Sequence, residues 1–345
     1  MAAAPPAELL DRAVGVLRAG GLVALPTETV YGLAADADQA AAVAAVFRAK
    51  GRPAHHPLIV HVADAAAARA WSTAIPDAAL ELMRRFWPGP LTLVLPRSAR
   101  AADGVTGGQD TVGLRCPAHP WAQALLRGYG AARGDPHVGL AAPSANRYGA
   151  ISPTSANHVR ADLGEKPAGR VDLILDGGSS PLGIESTIVD FATGRARILR
   201  PGSIRAEQID AALGVPVRRA GASEDSPRTP GRVRGHYAPG KPLELLDAAQ
   251  LPARVVALGP ARIGVLAPAD ALPGALAADL ALQLVAPADA EAYARSLYDN
   301  LRRLDASAAQ RLLVARPPQG SRWEAVHDRL QRAAAGSDGA LADAD

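Results

Sequence analysis

Cysteine is nearly missing from this 345-residue chain. Cys116 is the single one, so there is no intrachain disulfide and no zinc site built on thiolates. Long apolar runs are missing as well: no stretch approaches the roughly 18 apolar residues that a bilayer helix needs. The opening Met-Ala-Ala-Ala-Pro-Pro lacks the basic start and apolar middle of a signal peptide. A cytoplasmic protein with no membrane contact is therefore expected. Aromatic residues make up only 4%, few for a surface that would stack nucleic-acid bases. Lysine is reduced to Lys50, Lys166 and Lys241 among 37 basic residues. No repeat of fixed period occurs. Also absent are a Gly-x-Gly-x-x-Gly after a strand, a Gly-x-Ser-x-Gly elbow and a His-Glu-x-x-His pair, which removes the main support for dinucleotide enzymes, common serine hydrolases and zincins.

What is present is ordinary globular composition, with 48% hydrophobic and 21% charged residues. The length suggests about two domains. Net charge is +3, but residues 242–345 carry −3, which leaves +6 for the rest and puts the anion-handling end at the N-terminal side.

Up to residue 215, short apolar runs alternate with Ala/Leu-rich stretches, the rhythm of an α/β domain. Helices are expected over Pro6–Ala19 and Gln39–Lys50. Strands are expected at Leu22–Leu25, Pro57–Val62, Leu91–Leu95, Val112–Arg115, Gly139–Ala141, Leu173–Leu175, Thr187–Asp190 and Arg197–Leu199. The later strands lie close together, so a twisted mixed sheet flanked by helices is expected. Residues 216–241 turn to Arg, Gly, Pro, Ser and Thr and read as a linker or ordered lid. Residues 242–345 read as a smaller, Rossmann-like α/β accessory domain with strands at Leu243–Leu246, Val255–Leu258, Ile263–Leu266 and Leu312–Val314. Helices are expected there over Ala288–Arg303 and Trp323–Ala335, the second opened by a Ser321-x-x-Glu324 capping box, with a frayed tail after Ala333.

Two local patterns mislead. Gly235-His-Tyr-Ala-Pro-Gly-Lys241-Pro242 has P-loop spacing, but proline replaces the magnesium-binding hydroxyl, and two prolines remove backbone donors. His55, His56 and His61 crowd together without a supporting carboxylate or thiolate, so no protein-held metal is expected. Cys116 reads as a small core residue rather than a nucleophile.

Five segments place polar groups at strand mouths, where open α/β sheets bind ligands. Pro26-Thr-Glu-Thr29-Val-Tyr-Gly-Leu33 offers two hydroxyls and a carboxylate, or simply caps a helix. Lys50-Gly-Arg52-Pro-Ala-His-His56-Pro-Leu58 pairs a point charge with a guanidinium fork, suited to polyphosphate, or forms a solvated turn. Asp110-Thr111-Val-Gly-Leu-Arg115-Cys-Pro117 ends a strand on an arginine that needs an anion, from a substrate carboxylate or a structural acid. Ala141-Ala142-Pro-Ser144-Ala-Asn146-Arg-Tyr-Gly149, with Ser152, offers hydroxyls and an amide to phosphate or ribose, or turn chemistry. Asp176–Asp190 combines glycines with Glu185-Ser186-Thr187.

Together with Trp87-Pro-Gly-Pro-Leu-Thr and Leu199-Arg-Pro-Gly, these motifs resemble the threonylcarbamoyl-AMP synthase family with its YrdC-like fold, in the two-domain form. The resemblance covers most of residues 8–241 in order, while the last hundred residues agree only in length and α/β character. It implies a nucleotidyltransferase that condenses L-threonine, bicarbonate and ATP to threonylcarbamoyl-AMP and pyrophosphate. Magnesium would accompany the nucleotide, and a separate threonylcarbamoyl transferase complex would act on tRNA; a weak tRNA contact is left open. Position by position, it gives threonine to Thr29, His61, Arg115, Ser186 and the backbone near Ala142. ATP goes to Lys50, Arg52, His56, Thr111, Ser144, Asn146, Ser152, Arg200 and Tyr237, with Lys50 and Arg52 catalytic and His236-Tyr237-Ala238-Pro239 part of a lid. Two other readings are a non-catalytic RNA-binding module and a carbamoyl-adenylating transferase of hydrogenase maturation. The latter relatives carry zinc-binding parts that a single cysteine cannot supply.

Overall fold

The computed structural model describes residues 4–219, 226–231 and 235–337. The chain forms two compact units, Met1–Tyr148 with Ser152–Arg232, and Gly149–Ile151 with Val233–Asp345. Among the described residues no helix is long and apolar enough to cross a membrane.

The first unit is built on ten strands: β1 Val23–Leu25, β2 Gly32–Asp36, β3 Ile59–His61, β4 Leu91–Pro96, β5 Thr111–Arg115, β6 Leu140–Ala141, β7 Leu173–Ile174, β8 Thr187–Asp190, β9 Arg197–Arg200 and β10 Arg218–Arg219. Their order is β10-β9-β8-β4-β5-β3-β6-β2-β1-β7. The sheet is mixed, as expected: β3 with β5 and β4 with β8 are parallel, whereas β4 with β5 and β8 with β9 are antiparallel. Strand alternation divides the side chains between faces. Val60, Leu91, Leu93, Leu95, Val112, Leu114 and Val189 enter the large core together with the helices Ala40–Lys50 and Asp77–Phe86. The opposite face of the same strands carries His61, Thr92, Thr111, Gly113, Arg115 and Ile188. Toward β1 and β7 a second core of Val23, Leu25, Leu140 and Leu173 packs the helices Ala7–Arg18 and Pro120–Arg133.

Strand β2 escapes the sequence reading because Gly-Leu-Ala-Ala-Asp is poor in β-branched residues; tertiary pairing with β1 and β6 overrides that weak propensity.

The second unit alternates strands and helices around a four-stranded parallel sheet: β11 Leu243–Leu246, β12 Ile263–Ala267, β13 Leu282–Val285 and β14 Arg311–Ala315, ordered β11-β14-β12-β13. Val255–Leu258, expected as a strand, instead ends the helix Leu251–Leu258. Leu251 and Val255 are buried one helical turn apart while Val256 is 66% exposed, a helical burial pattern that the adjacent valines hide. Strand β13, at the edge of the sheet, was not anticipated. The final helix starts at Glu324, after a 3-10 turn at Ser321–Trp323, and continues past Ala333, while the rest of the tail expected to fray, 338–345, lies outside the described residues. It runs to Ser337, whose Oγ accepts a hydrogen bond from Leu243 N at 2.8 Å, with Ala333 and Gly336 buried on the way.

Candidate active site

Parallel pairing of β3 with β5 sets His61 directly beside Arg115. Both are buried, at 3% and 5% exposure. Arg115 Nη2 lies 2.7 Å from Glu28 Oε1, an ion pair out of hydrogen-bond alignment, since neither of those atoms nor Arg115 Nε has a hydrogen-bond partner. The anion that the sequence demanded for Arg115 is thus partly met by Glu28. His61 Nδ1 also has no hydrogen bond. Burial, reinforced by the Arg115 guanidinium, pushes the His61 pKa down to about 3; the carbonyls of Ile59 and Leu140 act in the opposite direction without overcoming it. His61 is therefore neutral near pH 7.

Ser186 opens β8. Its Oγ is 2.7 Å from Thr92 Oγ1 on β4, and Arg200 Nη2 donates to Ser186 O at 2.9 Å and to Ser186 Oγ at 3.2 Å. Thr29 Oγ1 sits 2.9 Å from Thr27 Oγ1 in the turn between β1 and β2. Ala142 N is already engaged, donating to Ile59 O at 3.0 Å.

The helix Ala40–Lys50 stops at Gly51, which adopts φ +64, a conformation that a side chain disfavours. That stop turns Lys50 inward, where Nζ donates to the carbonyls of Ser144 at 2.5 Å and Asn146 at 2.6 Å. Burial, followed by repulsion from Arg52, holds Lys50 well below the ordinary lysine range. Arg52 Nη2 donates to Pro57 O at 3.0 Å, and its guanidinium lies 5.7 Å from the Tyr148 ring centre. His56 meets the same ring edge-on at 5.4 Å. Burial first, then the charge of Arg52, pushes the His56 pKa down to about 4. Asn146 Nδ2 donates to Arg147 O, and Ser152 Oγ donates to Glu185 Oε1 at 2.6 Å.

The stretch 226–231 lies on the polar face of the sheet. Arg228 N donates to Gln109 Oε1 at 2.6 Å, Arg228 Nη2 donates to Gly107 O at 2.7 Å, and Arg200 Nη1 donates to Pro230 O at 2.9 Å. Arg228, Thr229 and Pro230 face Thr92, Thr111, Gly113 and Ile188 across a cavity of about 10 Å³, room for one water at most.

Contacts thus join Lys50 with Ser144 and Asn146, Ser186 with Arg200, and His61 with Arg115. Tyr237 is different: it belongs to the C-terminal unit, buried at φ +63, its ring 5.6 Å from Tyr298 and 5.4 Å from the Arg329 guanidinium. Sequence reasoning offered Glu28 only as a carboxylate in a polar turn and assigned no role to Thr92, Glu185 or Arg228. Thr92 had a usable signal, a lone hydroxyl between Leu91 and Leu93 of a predicted strand, on the face away from the large core. Cys116 behaves as expected: it is buried, its Sγ lies 3.2 Å from Ala63 O, and burial raises its pKa to about 11.

Residues 15–202 match the family described as "Telomere recombination", and residues 204–335 match the family described as "Threonylcarbamoyl-AMP synthase, C-terminal domain". The chain is 40% identical over 336 residues to the threonylcarbamoyl-AMP synthase of Bacillus subtilis, covering 95% of this chain and 93% of that one. It is 44% identical over 230 residues to the enzyme of the same name from Pyrococcus abyssi, covering 66% and 64% of the two chains. The crystal structure of Pyrococcus abyssi Sua5 complexed with L-threonine superposes with a TM-score of 0.83 at 36% identity, covering 95% of this chain and 94% of that one.

Proposed function

The chain belongs to the threonylcarbamoyl-AMP synthase family, and from that membership we propose that it converts L-threonine, bicarbonate and ATP to threonylcarbamoyl-AMP and pyrophosphate. The product serves the threonylcarbamoyladenosine modification of tRNA, made by a separate transferase. The observation that carries the assignment of residues is the buried pair His61 and Arg115, side by side with hydrogen-bonding atoms unused. A guanidinium whose buried Nε has no partner suits a carboxylate seated on that nitrogen.

In this reading Arg115 takes the threonine carboxylate, while Thr29 and Ser186 offer hydroxyls to the substrate. Neutral His61 adds no positive charge beside an amine that must give up its proton. The free amine attacks the bicarbonate carbon, forming the C–N bond of the carbamate and releasing water. A carbamate oxygen then attacks the α-phosphorus of ATP, and pyrophosphate leaves. Lys50, Arg52 and Arg200 supply positive charge where negative charge accumulates. Ser144, Asn146, Ser152, Thr111 and His56 line the nucleotide side. Magnesium comes with the triphosphate; among the described residues no group of three or more His, Cys, Asp and Glu could hold a metal ion, and no step is assigned to it.

The carbamate is short-lived in water, so its neighbourhood must be dry and close to the phosphate. The placement of Arg228–Pro230 over the polar face supports a covering role for this stretch of the linker. We assign residues 1–215 to the catalytic domain, 216–241 to this lid and 242–345 to the accessory domain. The test is direct: the full-length protein is incubated with labelled threonine, bicarbonate and ATP, and mass spectrometry looks for threonylcarbamoyl-AMP. Its absence, with AMP as the only nucleotide product, would overturn the assignment.

A further inference from the structure

Glu28 lies in the turn that carries Thr29, is 7% exposed, and touches two further segments. Its Oε1 faces Arg115 Nη2 at 2.7 Å. Its Oε2 accepts from Ala118 N at 3.1 Å, in the chain just beyond β5. Its carbonyl accepts from Leu182 N at 2.9 Å, in the loop that leads to Ser186. The three segments carrying Thr29, Arg115 and Ser186 therefore meet at one residue. A buried carboxylate that only balanced a buried guanidinium would be expected to align with it, because an unaligned pair recovers little of the desolvation it suffers. Here the alignment is missing, and the Nε–Nη2 edge of Arg115 has no hydrogen bond although it is buried.

We propose that Glu28 is a positioning residue for amino-acid recognition: it balances the charge of the Arg115 guanidinium through Nη2 and ties the Arg115 segment to the turn of Thr29 and the loop before Ser186, leaving the unpaired Nε for the substrate carboxylate. This rests on the reading that Arg115 binds that carboxylate. Glu28 touches no substrate atom in this role. Its loss should therefore weaken threonine binding while leaving the nucleotide side alone.

The experiment is a double-mutant cycle in the full-length protein, with KM for threonine, KM for ATP and kcat measured for wild type, Glu28→Gln, Arg115→Met and the double variant. Glutamine retains an acceptor for Ala118 N, and thermal unfolding checks that each variant is folded. The expected result is a rise of about tenfold or more in threonine KM for Glu28→Gln, with ATP KM and kcat within about threefold. In the Arg115→Met background the same change should add little. A Glu28 effect that persists undiminished without Arg115, or none in either background, overturns the proposal. An unchanged threonine KM in Arg115→Met instead overturns the underlying reading of Arg115. Should Glu28→Gln alone fail to fold, the comparison of Arg115→Met with the double variant still decides: equal threonine KM values support the proposal, and a further large rise contradicts it.

Discussion

Lys50 is buried with its ammonium on the carbonyls of Ser144 and Asn146, so removing it takes away more than a charge. Lys50→Ala should lower turnover by about 100-fold or more, from lost stabilisation of the transferring phosphate. It should also lower stability by about 1–3 kcal/mol, because buried carbonyls lose a donor. Pyrophosphate release and urea unfolding read the two effects separately. His61 gives a pH signature. Its folded pKa, about 3, lies below the ordinary histidine value of about 6.5. Between those values the unfolded chain binds a proton that the native site refuses. The associated stability is complete above about pH 6.5 and declines as pH falls toward 3, by up to about 1.4 kcal/mol per pH unit. Denaturant unfolding at pH 5 and pH 7.5 should show His61→Asn losing less stability on acidification than wild type. Lys50 and Arg115 were legible in sequence because each is a cation beside a glycine stop or a strand end. Glu28 was visible only as a carboxylate in a polar turn; its partner arginine is remote in sequence, and pairing at that distance leaves no local pattern.

Elements were legible where a short apolar run stood out. Leu91–Leu95 and Thr187–Asp190, each buried throughout, identify β4 and β8, and through them the site face. The Ala-rich β2 and the valine pair of the helix Leu251–Leu258 broke that logic, since tertiary pairing and the i, i+4 contact decided them. The linker was readable only as a change in composition. Its stretch 226–231 is held by Gln109 and Arg200 through hydrogen bonds that no spacing rule foresees. If this stretch excludes water from the reacting carbamate, Gln109→Ala should accelerate amide exchange at Arg228 and lower product yield per ATP consumed. Mass-resolved hydrogen exchange and a product-to-AMP ratio measure both; unchanged coupling with faster exchange would show that the stretch is not the water barrier.

At the scale of the molecule, the scarcity of lysine, aromatics and cysteine narrowed the chemistry before any fold was known. Of the basic residues of 1–241, Lys50, Arg52, Arg115 and Arg200 are buried in the first unit. Lys166, one of the three lysines, pairs with Asp172 at 2.8 Å and has no part in the site. A chain ending at residue 215 lacks Arg228–Pro230 and should lose at least about tenfold in turnover, with circular dichroism confirming that it folds. The most direct measurement is pyrophosphate release from ATP by the full-length protein, with threonine and bicarbonate each omitted in turn. Release that requires both is the expected result; release that continues without either would contradict threonylcarbamoyl-AMP synthesis at this site.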